Sequence, residues 1–263
     1  MTGFKGIRKL APAHYLSLNL KTKALKIERY WKLDYSQKLH LSEIEWKKRI
    51  LEKFEESVKL RMLADVPLGA FLSGGIDSSA VVAMMARHSS TPIKTFSIGF
   101  KEEKYNELHW AKKVAEKFKT DHTEFIVEPH AIDILPTLIH HYEEPFADSS
   151  ALPTYYVSKL TREHVTVALN GDGGDENFAG YSRYSAFQAS IFLERFAWLA
   201  KTIGVPITRC IKNVFPNTFF DRIYRLTQSL SVDYRERYMG FTSYFTNEQK
   251  EKLYTNAFKE KIT

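Results

Sequence analysis

The sequence is poor in cysteine and in long apolar runs. Cys210 is its one cysteine, which excludes an internal disulfide framework, a cysteine-based zinc site and two-cysteine redox chemistry. The longest uninterrupted apolar run, residues 80–86, is far shorter than the ~20 residues that a membrane-spanning helix needs. We identify no secretory signal in residues 1–5, because no apolar core follows the initial methionine. A reduced, cytoplasmic setting without membrane association is therefore the default expectation.

Composition and charge are those of a folded chain. Hydrophobic residues make up 44% and charged residues 26% of 263 residues, which excludes wholesale disorder and suits one or two domains. Lysine and arginine exceed the acids by 38 to 31, so the net charge of +7 suits an anionic partner. No dense basic run occurs, so nucleic-acid binding is disfavoured. We find no internal repeat and no low-complexity segment.

The first part of the chain carries two patterns. Residues 13–20 and 25–31 alternate apolar and polar side chains on either side of a polar link, which predicts a β-hairpin. Ser42 with Glu45 three residues later has the form of a helix capping box, and apolar residues then recur on one helical face. This helix should end before Pro67, because proline disfavours a helical predecessor.

From residue 68 onward, short apolar or β-branched runs alternate with longer helical segments. The predicted strands are 68–72, 94–100, 122–127 and 165–169, and the predicted helices are 78–87, 106–118 and 131–142. This rhythm is typical of an α/β fold with a parallel sheet covered by helices on both faces. Ligands of such sheets bind at the carboxyl ends of the strands, so chemistry is expected after Leu72, Phe100 and Leu169. Beyond Tyr184, residues 186–203 predict a helix, and residues 205–263 are mixed and aromatic-rich.

The strongest single feature is the segment 68–79, where an apolar strand runs through a small-residue loop into a helix. Its glycines and hydroxyl residues are Ser73, Gly74, Gly75, Ser78 and Ser79. The glycines let the backbone approach a ligand closely, and the hydroxyls add donors to the free N–H groups of a helix start. Together they form an anion cradle suited to phosphate or pyrophosphate, and Asp77 fits it if that carboxylate holds Mg²⁺. The alternative is a plain strand-to-helix turn; a Walker A loop is excluded, since no Gly-Lys pair occurs.

A second loop, residues 170–181, follows the last predicted strand. Three acids and three glycines fall within 171–176, which predicts a flexible loop with its carboxylates aimed at a positive group. An EF-hand is excluded because Asp172 and Asp175 are three residues apart, and a hairpin at Asn170-Gly171 is disfavoured because no alternating strand follows. A further Mg²⁺ ligand, at a strand end opposite the first loop, is the favoured interpretation.

Segment 68–79 resembles the pyrophosphate loop of the N-type ATP pyrophosphatases, which split ATP between its α and β phosphates and form adenylates. Loop 170–181 more narrowly resembles the SGDGGDELFGGY block of asparagine synthetases, and residues 143–155 resemble that family's E-x-P-x-x-D-x-S-x-x-P-x-Y stretch. With residues 4–15, 66–67 and 95–100, the resemblance covers roughly residues 2–185. Four positions depart from the family pattern and leave substrate choice open: Ala13, Asn170, Asn177 and Ala179.

The resemblance implies an adenine nucleotide alpha hydrolase-like fold and an ATP-dependent synthesis of asparagine. The β-carboxylate of aspartate would attack ATP, giving β-aspartyl-AMP and pyrophosphate, and ammonia would then displace AMP. The residues of the first loop would hold the pyrophosphate, and Asp77 and Asp175 would ligate Mg²⁺. Asp172 and Glu176 are the candidate catalytic carboxylates, of which Asp172 matches the family's acidic position. The nucleotide-binding set is completed by Phe71, Leu72, Ile98, Asn170, Gly171 and Tyr181, with adenine expected against Leu72 and Ile98.

The resemblance also implies a division of the chain. Residues 1–40 would be the last strands of a glutaminase-like domain, 41–185 the synthetase core, and 186–263 a helical extension that is incomplete. Glutamine-using members begin with a cysteine nucleophile, whereas residue 2 here is Thr2, so no glutaminase activity is expected from this chain. The expected partners are ATP, aspartate and ammonia, the last supplied from glutamine by a glutaminase domain, and a homodimer is left open. The alternatives are an ATP-binding but inactive fragment and an adenylating, amide-forming enzyme like the β-lactam synthetases.

Overall fold

The computed structural model describes residues 2, 4–101, 106–128, 131–143, 146–215, 217–243, 245 and 247–262. The chain forms two compact units, Met1–Gly171 and Asp172–Thr263. The boundary between them lies inside the second glycine-rich loop. The division into 1–40, 41–185 and 186–263 rests on motif resemblance and stays a prediction.

The first unit opens with the β-hairpin that the alternation predicts. Strands β1 (His14–Leu18) and β2 (Leu25–Arg29) pair antiparallel, and the side chain of Asn19 accepts hydrogen bonds from the backbone of the turn. One face of this hairpin carries four exposed apolar side chains, Leu16, Leu18, Leu25 and Ile27. The hairpin prediction is confirmed.

Helix α1 (Glu43–Arg61) begins at the predicted capping box. The hydroxyl of Ser42 accepts from the Glu45 amide at 3.3 Å, and the Glu45 carboxylate accepts from the Ser42 amide at 2.9 Å. These reciprocal bonds satisfy donors that a helix start otherwise leaves free. The helix ends before Pro67, as predicted, and its buried Val58 joins the core beneath the sheet.

The core of the first unit is a four-stranded parallel sheet in the order β5–β4–β3–β6. Its strands are β3 (Leu68–Phe71), β4 (Lys94–Phe100), β5 (Asp121–Val127) and β6 (Val167–Leu169). Helices α2 (Ile76–His88), α3 (Leu108–Phe118), α4 (Ala131–Tyr142) and α5 (Ala151–Thr161) alternate with them. The predicted α/β class with a parallel sheet is confirmed. Helix α5 is an addition, since the sequence analysis predicts no helix there.

Both faces of the sheet are covered. On one face Ala70 packs with Val82 and Met85 of α2 and with Ala111 of α3, all of them fully buried. On the other face Phe96 stacks on Phe125, with ring centroids 6.2 Å apart, and contacts the tilted ring of His164 at 5.5 Å. This two-sided cover leaves the carboxyl ends of the strands as the open edge that carries the loops.

Strand β6 is shorter than predicted. It begins at Val167, and the amides of Thr166 and Val167 both donate to the carbonyl of Pro67, at 2.9 and 3.3 Å. One acceptor shared by two successive donors does not continue a ladder, so residue 166 lies outside the strand. Val165 is nevertheless buried, which explains the apolar pattern there.

The second unit is helical over the residues described. It contains α6 (Gly174–Phe178), α7 (Ser182–Phe192), a 3-10 turn (Glu194–Phe196), α8 (Ala197–Leu199), a π-helical turn (Ala200–Gly204), α9 (Val205–Val214), α10 (Thr218–Leu230), α11 (Tyr234–Thr242), α12 (Asn247–Leu253) and α13 (Asn256–Ile262). In the part of the chain that is described, no helix has the length and apolar character to cross a membrane.

The single helix predicted over 186–203 is wrong in its bounds, because α7 starts at Ser182 and stops at Phe192. The carbonyl of Ser190, which a continuing helix would use for the Glu194 amide, accepts instead from the guanidinium of Arg237 at 3.3 Å. Arg237 is 2% exposed and also donates to the carbonyls of Ser229 and Val232. The guanidinium of Arg237, which is distant in sequence and buried, therefore takes a carbonyl that α7 would need in order to continue past Phe192.

Candidate functional site

The loop after β3 folds around one serine. The amide of Ser73 donates to the Ser78 hydroxyl at 3.2 Å, and the two hydroxyls lie 2.9 Å apart. The Gly75 amide donates to the Ser73 hydroxyl at 3.2 Å, and Ser78 donates on to the Gly75 carbonyl. Ser78 is buried, so this network fixes the loop from beneath.

Gly74 brings the loop against helix α3. Its φ of +81° is left-handed, and a Cβ at this position would lie 2.5 Å from the Trp110 Cβ and 2.6 Å from the Ala111 amide nitrogen. Only glycine fits such a backbone, both for its dihedral angle and for its space. Trp110 is not among the residues that the sequence motifs predict for the site; its place at the start of the helix after β4 is the one signal that could have found it.

The start of α2 offers free donors. Gly75 is the N-cap and gives no side-chain hydrogen bond, so no cap residue occupies the N–H groups of the first turn. Among the residues described, the buried hydroxyl of Ser79 has no hydrogen-bond partner. Helix N–H groups, the positive end of the helix dipole and an unsatisfied hydroxyl together suit an anion.

The segment that follows the carboxyl end of β6 packs against the start of α2, within the first unit. A Cβ on Gly171 would lie 2.8 Å from the Ser78 amide nitrogen and 2.9 Å from the Asp77 Cβ, so Gly171 rests directly on the first turn of α2. The structure therefore brings the predicted residues Ser73 to Ser79 and Gly171 together within one unit. Asn170 precedes this contact on the same strand end.

Leu72 and Ile98, both expected near adenine, point to opposite faces of the sheet. Phe71 pairs with Phe96 in the parallel ladder, so Phe71, Phe96 and Ile98 share one face. The Leu72 side chain is 1% exposed in the core on the other face. The backbone amide of Leu72 donates to the carbonyl of Phe96, and the backbone carbonyl of Leu72 accepts from the Ser97 hydroxyl. Within this sheet, a base against Ile98 would meet the half-buried Phe71 rather than the Leu72 side chain.

The composition of the acidic loop, residues 170–181, predicts a flexible loop, but part of it is helical. Residues 174–178 form the one-turn helix α6, entered through Gly173 at φ 92° and left through Ala179 at φ 56°. The side-chain amide of Asn177 donates to the Gly173 carbonyl at 2.6 Å, which stabilises the turn. Asp172 precedes this turn, and Asp175 and Glu176 lie in it.

Tyr181 holds the Glu176 side chain in place through a hydrogen bond. The tyrosine hydroxyl donates to the Glu176 carboxylate at 2.7 Å, and the Arg183 guanidinium lies 3.8 Å from the centre of the Tyr181 ring. The hydrogen bond from Tyr181, aided by the charge of Arg183, holds the pKa of Glu176 below its usual value. The same bond raises the pKa of Tyr181. Glu176 is therefore a fixed anion near neutral pH.

The candidate metal ligands of this chain are carboxylates. Over the residues that are described, no three His, Cys, Asp or Glu side chains are grouped to hold a metal ion. Carboxylate oxygens are ligands that suit Mg²⁺, which is commonly held by one or two carboxylates together with substrate phosphates and water. The predicted ligands Asp77 and Asp175 belong to the two separate units. Glu144 and Pro145 of the E-x-P stretch lie outside the described residues.

Comparisons with known proteins give one family and several relatives. The family model described as asparagine synthase matches residues 49–260. Asparagine synthetase 1 (glutamine-hydrolysing) of Bacillus subtilis is 40% identical over 138 residues, 52% of this chain and 22% of that protein. A provisionally assigned glutamine-hydrolysing asparagine synthetase 2 of Methanocaldococcus jannaschii is 34% identical over 233 residues, 85% of this chain and 44% of that protein. Amidase chyE of Penicillium rubens is 31% identical over 212 residues, 73% of this chain and 31% of that protein. The chain spans less than half the length of these curated relatives.

Proposed function

Because the chain belongs to the asparagine synthase family, we propose that it carries the ATP-dependent synthetase step of asparagine formation. In this step the β-carboxylate of aspartate attacks the α-phosphorus of ATP, and the bond to pyrophosphate breaks. Ammonia then attacks the carbonyl of β-aspartyl-AMP, and the bond to AMP breaks. The products are asparagine, AMP and pyrophosphate.

The observation that carries this proposal is the anion cradle at Ser73–Ser79. Its backbone is fixed by buried Ser78, its donors are the first turn of α2 and the Ser79 hydroxyl, and Gly171 lines it from β6. We assign the departing pyrophosphate to this cradle. Donors placed before the reaction stabilise charge on a leaving group without having to reorganise.

Two carboxylates remain candidates for the proton that leaves the attacking nitrogen. A base is needed because ammonium is the abundant form at neutral pH. Glu176 already accepts the Tyr181 hydroxyl, whereas Asp172 matches the acidic position of the family motif. We therefore assign proton acceptance to Asp172 and a supporting role to Glu176.

Asp77 and Asp175 are the residues that would hold Mg²⁺, an assignment that rests on the family motifs. When bound, the ion supplies positive charge to the pyrophosphate as it leaves. Asp77 is half-buried in the first turn of α2, next to the proposed cradle.

A second function within adenylating chemistry is favoured by one comparison. The similarity to amidase chyE extends over 73% of this chain, so related sequences are associated with another amide reaction. Asn170 and Asn177 also differ from the residues usual in asparagine synthetases. The second candidate is therefore amide formation on another carboxylate.

The test is product analysis with the chain, Mg²⁺, ATP, aspartate and ammonium. AMP, pyrophosphate and asparagine in equal amounts are expected, with none formed when aspartate is omitted. Pyrophosphate released when another carboxylic acid replaces aspartate, without asparagine formed from aspartate, would favour the second candidate. A chain that binds ATP and releases no pyrophosphate with aspartate or with any of these acids contradicts both candidates and supports an inactive fragment.

A further inference from the structure

Helix α6 in the second unit cannot be stable by itself. It has five residues, and left-handed residues at Gly173 and Ala179 stop it from extending in either direction. A single helical turn is marginal in water, because fixing its dihedral angles costs more than its few hydrogen bonds provide. The Asn177 side chain stabilises this turn from within, and further groups that hold α6 in place must lie outside it.

The segment after α6 is already closed back on Asp175. The Gly180 amide donates to the Asp175 carbonyl at 3.0 Å. A Cβ on Gly180 would lie 3.0 Å from the Asp175 Cγ, so this carboxylate rests on the glycine backbone. The position of Asp175 is thereby linked to the residue that follows Gly180, which is Tyr181.

Tyr181 is held at two points. Its hydroxyl donates to the Glu176 carboxylate at 2.7 Å, across the turn from Gly180. Its ring is covered by the Arg183 guanidinium at 3.8 Å, a distance typical of a cation–π contact. A ring fixed on its face and at its hydroxyl restrains Glu176 more firmly than a free tyrosine would.

The backbone of Tyr181 is also held in place, because this residue is the N-cap of α7. Tyr184, one turn later, lies beside the Tyr181 ring, with ring centroids 5.9 Å apart. Phe187 of the same helix packs edge-on against Tyr238 of α11, with ring centroids 5.2 Å apart. Helix α7 is therefore anchored to α11 within the second unit and can serve as a fixed support.

We propose that Tyr181 is a positioning residue, whose hydroxyl, on a ring braced by Arg183, holds Glu176 and so fixes α6 and Asp175 against α7. It would act through Glu176 and not through contact with the nucleotide. The proposal rests on the proposed function in one respect, which is that Asp175 is a ligand of Mg²⁺. Its structural part can be tested without any nucleotide.

The first experiment is amide hydrogen exchange on the free chain. In Tyr181→Phe, which keeps the ring under Arg183, the amides of Asn177 and Gly180 should exchange about fivefold faster, the change that an ordinary net hydrogen bond produces. Tyr184→Phe is the matched control, because it also removes a tyrosine hydroxyl at the start of α7, and it should leave these two amides unchanged. Equal exchange in wild type and Tyr181→Phe would overturn the proposal.

The second experiment is a Mg²⁺ titration of ATP binding by calorimetry. The Mg²⁺ concentration at half-maximal binding should rise about fivefold in Tyr181→Phe, and excess Mg²⁺ should restore wild-type binding. General structural damage would not be rescued in this way. If the amides of Asn177 and Gly180 exchange faster in Tyr181→Phe but the Mg²⁺ concentration at half-maximal ATP binding is unchanged, Tyr181 does not act on Mg²⁺ binding through Asp175, and that part of the proposal is overturned. If the wild-type chain binds no ATP, the proposed function fails, and the exchange result alone decides the role of Tyr181.

Discussion

Replacing Gly74 with alanine should disrupt the loop that the proposed pyrophosphate site depends on. The new Cβ would lie 2.5 Å from the Trp110 Cβ, 2.6 Å from the Ala111 amide nitrogen and 2.7 Å from the Trp110 carbonyl carbon. Two of these atoms belong to the backbone of α3 and cannot swing aside as the end of a flexible side chain could. The loop or the helix must therefore move.

The size of the effect follows from two contributions. An alanine held at a left-handed φ costs about 1–2 kcal/mol. Forcing an extra carbon into packed backbone costs about 1–3 kcal/mol. If the loop stays in place, the free energy of unfolding should therefore fall by about 2–5 kcal/mol. If the loop moves to relieve the overlap, the cost appears instead as lost affinity for ATP.

Gly75→Ala is the matched control. Gly75 has φ −67°, which alanine adopts freely, and the nearest atom to a Cβ there is the Ser73 hydroxyl oxygen at 3.2 Å. Its unfolding free energy should stay within about 1 kcal/mol of wild type. Urea unfolding and calorimetric titration of Mg²⁺ and ATP measure both quantities for each variant. If Gly74→Ala matched Gly75→Ala in both, the close approach of the loop to Trp110 would be wrong.

Three further predictions concern other residues. Asp77→Ala should weaken Mg²⁺-dependent ATP binding by about tenfold or more, because it removes a charged ligand, and unchanged affinity in calorimetry would contradict the pyrophosphate-site assignment. Burial lowers the pKa of His122 from 6.5, so the folded chain binds fewer protons than the unfolded chain below that pH. The free energy of unfolding should therefore fall as the pH drops through about 6.5, less steeply in His122→Gln than in wild type, as urea titrations at several pH values would show. Arg237→Met should destabilise the second unit by about 3–5 kcal/mol, since it leaves the carbonyls of Ser190, Ser229 and Val232 without their buried donor; a thermal midpoint equal to wild type would refute this.

The elements that the sequence predicts well are those set by local pattern. The strand Lys94–Phe100 and the helix Ala131–Tyr142 have the predicted bounds, and α1 starts at its capping box. In each case the apolar period and the residues at the ends agree with the final environment. Local and global preferences then favour the same structure.

The elements that the sequence predicts poorly depend on particular side-chain contacts or on the position of one residue within a helix. The turn at 174–178 is stabilised in part by Tyr181, and the break after Phe192 by Arg237 of another helix. Helix α5 contains Pro153 in its first turn, where a missing N–H costs little, so its proline does not argue against a helix. Composition within a short window carries none of this information.

The candidate site likewise has parts that the sequence predicts and parts that it does not. The cradle of Ser73, Gly74 and Ser78 follows from a strand, a glycine pair and a helix start, all adjacent in sequence. The contact of Gly74 with Trp110, and the opposite faces of Leu72 and Ile98, follow from strand register and helix packing. These are pairings between segments, which no single stretch of sequence specifies.

The strand order β5–β4–β3–β6 also has a consequence for the time at which the cradle can form. Gly69 of β3 pairs with Lys94 of β4, the next strand along the chain. It also pairs with Ala168 of β6, which is synthesised about a hundred residues later. Closing so long a loop costs chain entropy before its contacts compensate, so β6 should dock late in folding. At a synthesis rate of about 5–20 residues per second, a nascent chain would wait at least several seconds between making β3 and receiving Gly171. During that interval the phosphate loop lacks the strand end of β6 that packs against it. The incomplete sheet then has an exposed edge at β3, to which a chaperone or another chain can bind before β6 does.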